Sequence, residues 1–289
     1  MKKSIVTFVL VFVSLVSFSQ TANELYQRGK EAFRSSRDQE AVVLLQKAAE
    51  QGSKEACGLL GFMYYAGAVW GHCDGYNASK WAKQADVKQN LYASFTLGMI
   101  DFFKKDYDSA ISLLENAIDG GMDITEARIA LSISYFLNGN RNTAKYHALN
   151  VYNRQKDKEH KYIEYYTACA LLSKMTYEED PEDVNAMVYA QKTKDTSCPL
   201  GLYMMGRCQI EYNIFPSVGK QRIEEAANYH YNKDIKDVCA FSEIEKYIPD
   251  LLWQPDNVKL LTQNKYFALE PFKEEITKYY NKIKNKNYK

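Results

Sequence analysis

A small residue returns along this chain at an interval that a single globular core would not impose. Gly29, Gly61, Gly98, Ser132, Ala168 and Gly206 lie 32, 37, 34, 36 and 38 residues apart, each inside a short run of helical character. A second helical run follows each, with two small or apolar residues seven positions apart: Ala41/Ala48, Ala78/Ala85, Ala110/Ala117, Ala144/Val151 and Gly219/Ala226. The fifth unit reads as degenerate, with Asp183 and Ala190 in those places. Two helices per period predict an all-α chain, a right-handed α-solenoid of about six helix-turn-helix units. The small residues then have a mechanical role. Two helices approach within about 8–10 Å only where the facing side chains are small.

The punctuation agrees. Thr21-x-x-Glu24 has the form of a capping box ahead of the first helix. Asp38 is placed to cap the second helix and Gly52 to end it, and Asp123-x-x-Glu126 opens the fourth unit. Pro181 and Pro199 fall where first helical positions are expected in units five and six. The repeats span residues 22–232, and residues 233–289 fit the period poorly. That last region reads as a helical cap, with a helix from Ile235 to Ile248 and another from Pro271 to about Lys284. Leu251, Leu252, Trp253, Tyr266, Phe267 and Phe272 supply its apolar cover, since a solenoid must close its final face.

Residues 1–19 read as an export signal. Lys2 and Lys3 precede an apolar stretch from Ile5 to Val16, and Ser17-Phe18-Ser19 has the small-x-small form of a cleavage site. The apolar stretch is shorter than the roughly 20 residues of a spanning helix. The expectation is therefore cleavage after Ser19 or Gln20, a periplasmic or secreted protein, and no transmembrane segment afterwards. Loss of Lys2 and Lys3 takes the 37 basic residues to 35 against 36 acidic ones. A near-neutral chain offers nucleic acid no electrostatic footprint. The six cysteines are spaced more like packed helix-face residues than a disulfide framework. Cys57, Cys169 and Cys208 are expected as buried free thiols, with Cys208–Cys239 the alternative pair.

No catalytic constellation stands out. His72-Cys73-Asp74 is the one cluster of ligand-type residues, and nothing elsewhere completes a metal site. There is no GxSxG, no Walker loop and no glycine-rich dinucleotide turn. The reading is a binding protein, not an enzyme, with no catalytic residue, metal or cofactor.

The 12-then-7 spacing of units one, three and four resembles the tetratricopeptide repeat. Gln46–Gly52 (QKAAEQG) followed by Ala56–Gly67 (ACGLLGFMYYAG) resembles the longer-looped Sel1-like repeat, and Lys80-Trp81 ahead of Ala85 fits it too. The resemblance covers residues 22–232. It implies that the first helix of each unit lines a concave surface from which ligand contacts come. Carrying its inward positions across places Tyr26, Lys30, Tyr65, Tyr92, Phe95, Met99, Tyr162, Tyr165, Tyr203 and Arg207 there. Tyr and Arg favour interface hot spots. The function so implied is an exported protein-protein interaction scaffold that holds a peptide or protein partner on solvent-reachable rings, or organises an envelope complex. One alternative is a glycan- or cell-wall-binding accessory protein; a more distant one is a Sel1-like cell-wall-active enzyme. A competing reading has the same rings filling the packing between adjacent first helices.

Overall fold

The computed structural model describes residues 20–69, 73–159, 161–229 and 267–288. Among them every regular element is helical: α1 (Ala22–Arg34), α2 (Asp38–Glu50), α3 (Lys54–Tyr65), α4 (Gly75–Ala82), α5 (Leu91–Phe103) and α6 (Tyr107–Asp119). They are followed by α7 (Thr125–Leu137), α8 (Arg141–Gln155), α9 (Ile163–Glu179), α10 (Asn185–Gln191), α11 (Pro199–Glu211) and α12 (Pro216–Ala227). A 3-10 turn (Phe267–Phe272) leads into α13 (Lys273–Ile283). No helix among the described residues is long and apolar enough to cross a membrane. The proposed signal (1–19), the Ile235–Ile248 helix, Leu251, Leu252, Trp253, Tyr266, the Phe267 side chain, His72 and Cys239 lie outside the described residues.

Local chemistry starts most of these helices. Thr21 and Glu24 make both hydrogen bonds of the capping box at α1. Ser53, Asp74, Asn90, Asp106 and Asn140 each accept from the backbone N–H three residues on, opening α3, α4, α5, α6 and α8. Each such cap is worth about 1 kcal/mol. Pro199 and Pro216 stand at first helical positions. Three expectations are corrected. Arg37 precedes α2, so Asp38 is its first residue; one carboxylate oxygen lacks a partner and burial pushes the acid up to about 6. Ile124 precedes α7, because Asp123 is drawn to Arg128 and Arg154. Pro181 lies in the turn ahead of α10, which begins only at Asn185.

Helices pack as sequential pairs, α1 with α2 through α11 with α12, and each odd helix from α3 to α11 also packs on the odd helices beside it. The odd helices are therefore covered on several sides. Ten residues of α3 and thirteen of α9 are buried, whereas α2 buries four and α6 three. This is why α5 reads as a nearly unbroken apolar run (LYASFTLGMIDFF) while the even helices carry a single stripe.

The small residues sit where the paired helices cross. A Cβ on Gly29 would come 2.7 Å from Leu45 Cγ, and one on Gly98 2.8 Å from Leu114 Cγ. On Gly61 it would lie 2.8 Å from the Ala82 backbone nitrogen, and on Gly206 2.4 Å from the Gly219 carbonyl oxygen. Ser132 replaces glycine by hydrogen bonding, its Oγ donating to the Ala144 carbonyl at 2.8 Å.

Between α9 and α10 a second serine does the same. Ser173 Oγ donates to the Ala186 carbonyl at 2.7 Å, so the crossing residue is Ser173 rather than Ala168. Its partners seven apart are Ala186 and Thr193, both fully buried, with Thr193 against Gly201. Extra chain between α8 and α9 lengthens the interval from Ser132 to 41 residues and leaves 33 to Gly206. Asp183, which spoiled the pattern, belongs to the turn and accepts from the Asn185 N–H at 2.8 Å.

Candidate partner-binding face

Counting from the crossing residue of each odd helix, the positions three before, one after and four after lie on one side of the helix, about one turn apart. In the first half of the chain these positions fill packing. Phe33, Phe62 and Phe95 form an edge-to-face series, with ring centroids 6.4 and 5.8 Å apart, joined by Tyr92 on Phe62 and Tyr65 on Phe95. Tyr65, Phe95 and Met99 are buried; Tyr26, Lys30 and Tyr92 are half-buried, with Lys30 over the Tyr26 ring. The Tyr65 hydroxyl donates to Glu126 at 2.8 Å, tying α3 to the start of α7. Burial, with the Glu164 charge adding to it, holds the Glu126 acid well above the ordinary carboxyl range.

Tyr165 and Tyr203 are 3% and 1% exposed, so the expectation that both rings are solvent-reachable is not met. Tyr165 is carried to that face only if Ala168, five positions before Ser173, is the crossing residue. It stacks on Tyr152 of α8 at 5.6 Å and meets Tyr166, within the seam between α8, α9 and α10. Tyr162 immediately precedes α9, half-buried, its backbone N–H held by Gln155.

With the register set on Ser173, the same three positions yield Lys174 and Tyr177 from α9. Phe136 follows from α7, and Tyr203 and Arg207 from α11. These residues do converge. Lys174 is only 2% exposed on its side chain; its Nζ donates to Glu178 at 2.7 Å and lies 5.5 Å from the Phe136 ring centre. Arg207 spans Tyr177 (4.4 Å), donates to the Tyr203 hydroxyl at 3.2 Å and pairs with Glu211 at 3.0 Å.

What they hold is the chain's own C-terminal segment. Glu275 takes hydrogen bonds from Lys174 Nζ at 2.8 and 2.7 Å and from the Tyr203 hydroxyl at 3.1 Å. Phe272 is buried against Phe136 at 5.7 Å, and Glu270 pairs with Lys105, in the turn after α5, at 3.0 Å. Tyr279 lies edge-on to Tyr203 at 5.6 Å, 5.3 Å from the Arg207 guanidinium.

Protonation states follow. Partial desolvation would raise Glu178, but hydrogen bonds and charges from Lys174 and Arg141 hold it below the usual carboxyl range. Burial and the Glu275 charge push the Tyr203 phenol up, and burial with Glu211 pushes Tyr279 up to about 12. Both phenols are therefore fixed as donors at neutral pH, facing carboxylates that accept. Chemically the face can grip a carboxylate beside an aromatic ring.

Phe136, Lys174 and Tyr177 were not anticipated from the sequence. The signal that finds them is the Ser173–Ala186 spacing of 13, close to the 12 of Ser132–Ala144. Among the described residues, no three metal-ligating side chains converge. A scan against protein-family models finds no match to the chain, and a search of curated proteins finds no significant relative.

Proposed function

We propose that this chain is an exported protein-interaction scaffold: a right-handed solenoid of six tetratricopeptide- or Sel1-like units whose odd helices line a concave surface for a peptide or protein partner. Three features support the solenoid: six crossings of like chemistry, sequential pairing, and odd helices packed in series. Export rests on Lys2, Lys3 and the apolar stretch from Ile5 to Val16. The binding role is carried by one observation, the grip of Lys174, Tyr203 and Arg207 on an acidic and aromatic peptide segment. The anchors are cationic and aromatic, the types that dominate interface energetics.

The test is a crosslinking pull-down from envelope extract with the mature protein, run beside a glycan array. The expected result is a protein crosslinked through α7, α9 or α11, lost on Arg207→Ala. Retention of glycans with no protein captured would favour the accessory role instead.

A further inference from the structure

We propose that the segment Leu269–Tyr279 is an internal occupant of the partner site. The partner then presents the same chemistry, an acidic-aromatic segment of the pattern Glu-x-Phe-x-x-Glu-x-x-x-Tyr, and enters by displacing it. This rests on the scaffold reading and names its ligand class and its regulation.

A cap needs only to cover the last pair of helices, and the later part of α13 does so. Ile276 and Ile283 are buried, the Tyr280 hydroxyl donates to Glu224 of α12 at 2.8 Å, and Lys220 of α12 donates to the Lys286 carbonyl at 2.9 Å. The residues before Ile276 do something a cap does not require. Glu270 reaches back to Lys105 behind α5, Phe272 to Phe136 of α7, and Glu275 to Lys174 of α9 as well as Tyr203 of α11. The segment thus touches the turn after α5 and then α7, α9 and α11 in succession, in the way a bound peptide would.

The site is also built to stand without it. Lys174 keeps Glu178 as a partner one helical turn away, and Arg207 keeps Glu211 at the same spacing. Departure of the segment leaves neither cation unpaired, so the large cost of stranding a buried charge does not arise. Both of the segment's ion pairs have one partner open to water. Glu275 is 39% exposed on its side chain, and Lys105, which faces Glu270, is 59% exposed. The Lys105–Glu270 pair contributes little by itself, and the buried Lys174 can exchange Glu275 for an equivalent carboxylate on a competitor. The advantage of the internal segment is its tether, which acts as a high effective concentration and lowers the apparent affinity for any partner. Weakening the internal contacts therefore strengthens binding in trans.

The probe is a labelled synthetic peptide of residues 267–285, added to the mature full-length protein and to a Glu275→Lys/Tyr279→Ala variant. Both proteins are checked for folding by circular dichroism. The variant should bind the peptide at least tenfold more tightly than the wild type, and Glu275→Gln within the peptide should weaken that binding at least fivefold. Equal affinity for the two proteins, or no binding by a folded variant, overturns the proposal. Should the variant not fold, hydrogen exchange across residues 269–279 of the wild type is read with excess unlabelled peptide. Faster exchange supports displacement and unchanged exchange overturns it. A wild-type dimer that the peptide dissolves would make a second copy the occupant and overturn the partner assignment. Equal capture of an envelope partner by wild type and folded variant fells this inference while the scaffold stands. Peptide binding with no partner captured fells the scaffold reading instead.

Discussion

Gly98 shows how one residue sets the geometry of a helix pair. Its α-carbon faces Leu114 and Leu113 of the paired helix, and an added Cβ would lie 2.8 Å from Leu114 Cγ and 3.1 Å from Leu113 Cβ. Leu114 is fully buried. Gly98→Leu should therefore overpack the α5–α6 crossing and cost about 1–3 kcal/mol or more, read as a lowered melting temperature. An unchanged melt would show that the helices do not meet there. This crossing was legible because glycine inside an apolar helix has few other reasons to be present. Lys174 was not legible. A lysine within an apolar run reads as a solvent-facing interruption. Its partners include Glu275, 101 residues away in sequence, and Phe136 and Phe272 from other elements.

At the scale of elements, the pairing of α7 with α8 illustrates how buried polar groups are kept satisfied. Arg128 is bidentate to Asp123 at 2.6 and 2.7 Å, and Arg154 of α8 joins the same carboxylate. His147 of α8 stacks on Tyr135 at 5.8 Å, meets Tyr146 edge-on, and places Nδ1 3.3 Å from an Arg128 Nη. A nitrogen facing that guanidinium must accept, so the imidazole is neutral with its proton on Nε2. Burial and the Arg128 charge bring its pKa down to about 4, against an ordinary 6.5; Asp123 opposes the shift. The folded state thus binds fewer protons than the unfolded chain between those values. Stability from this group is present above pH 6.5 and is lost as pH falls from 6.5 towards 4, by up to about 3 kcal/mol. His147→Phe keeps the stack but removes the titration. Its melting temperature should fall less between pH 7 and 4.5 than that of the wild type, and parallel declines would show that the imidazole is not held neutral. Elements of this kind were read correctly as helices, but their registers were not always. In unit five a serine replaces the expected glycine at the crossing, while Ala168 offers a small residue five positions too early. The longer chain after α8 lets either choice preserve a plausible period. Only the hydrogen bond from Ser173 to Ala186 decides between them.

The whole molecule presents a chemical contrast that a single measurement can read. A chain expected to leave the cytoplasm enters conditions in which exposed thiols are oxidised. Yet the five described cysteines, Cys57, Cys73, Cys169, Cys198 and Cys208, are free and buried. Burial pushes the Cys169 and Cys198 thiols up to about 12 and the Cys208 thiol up to about 11. The thiolate is the reactive form, so these groups are protected both by access and by protonation. Cys169 and Cys198 lie within the seams of α9 and α11, the helices that build the proposed binding face, so reagent reaches them only when those helices separate. Modification should therefore be slow in the native protein and should follow opening of the fold rather than pH. Unfolding without reductant should expose close to six thiols by titration with a disulfide reagent. Four or fewer would mean that a pair had oxidised, with Cys208 and Cys239 the first to be examined. Rapid labelling of more than one thiol in the native protein would show that the helix seams open far more readily than their complete burial implies.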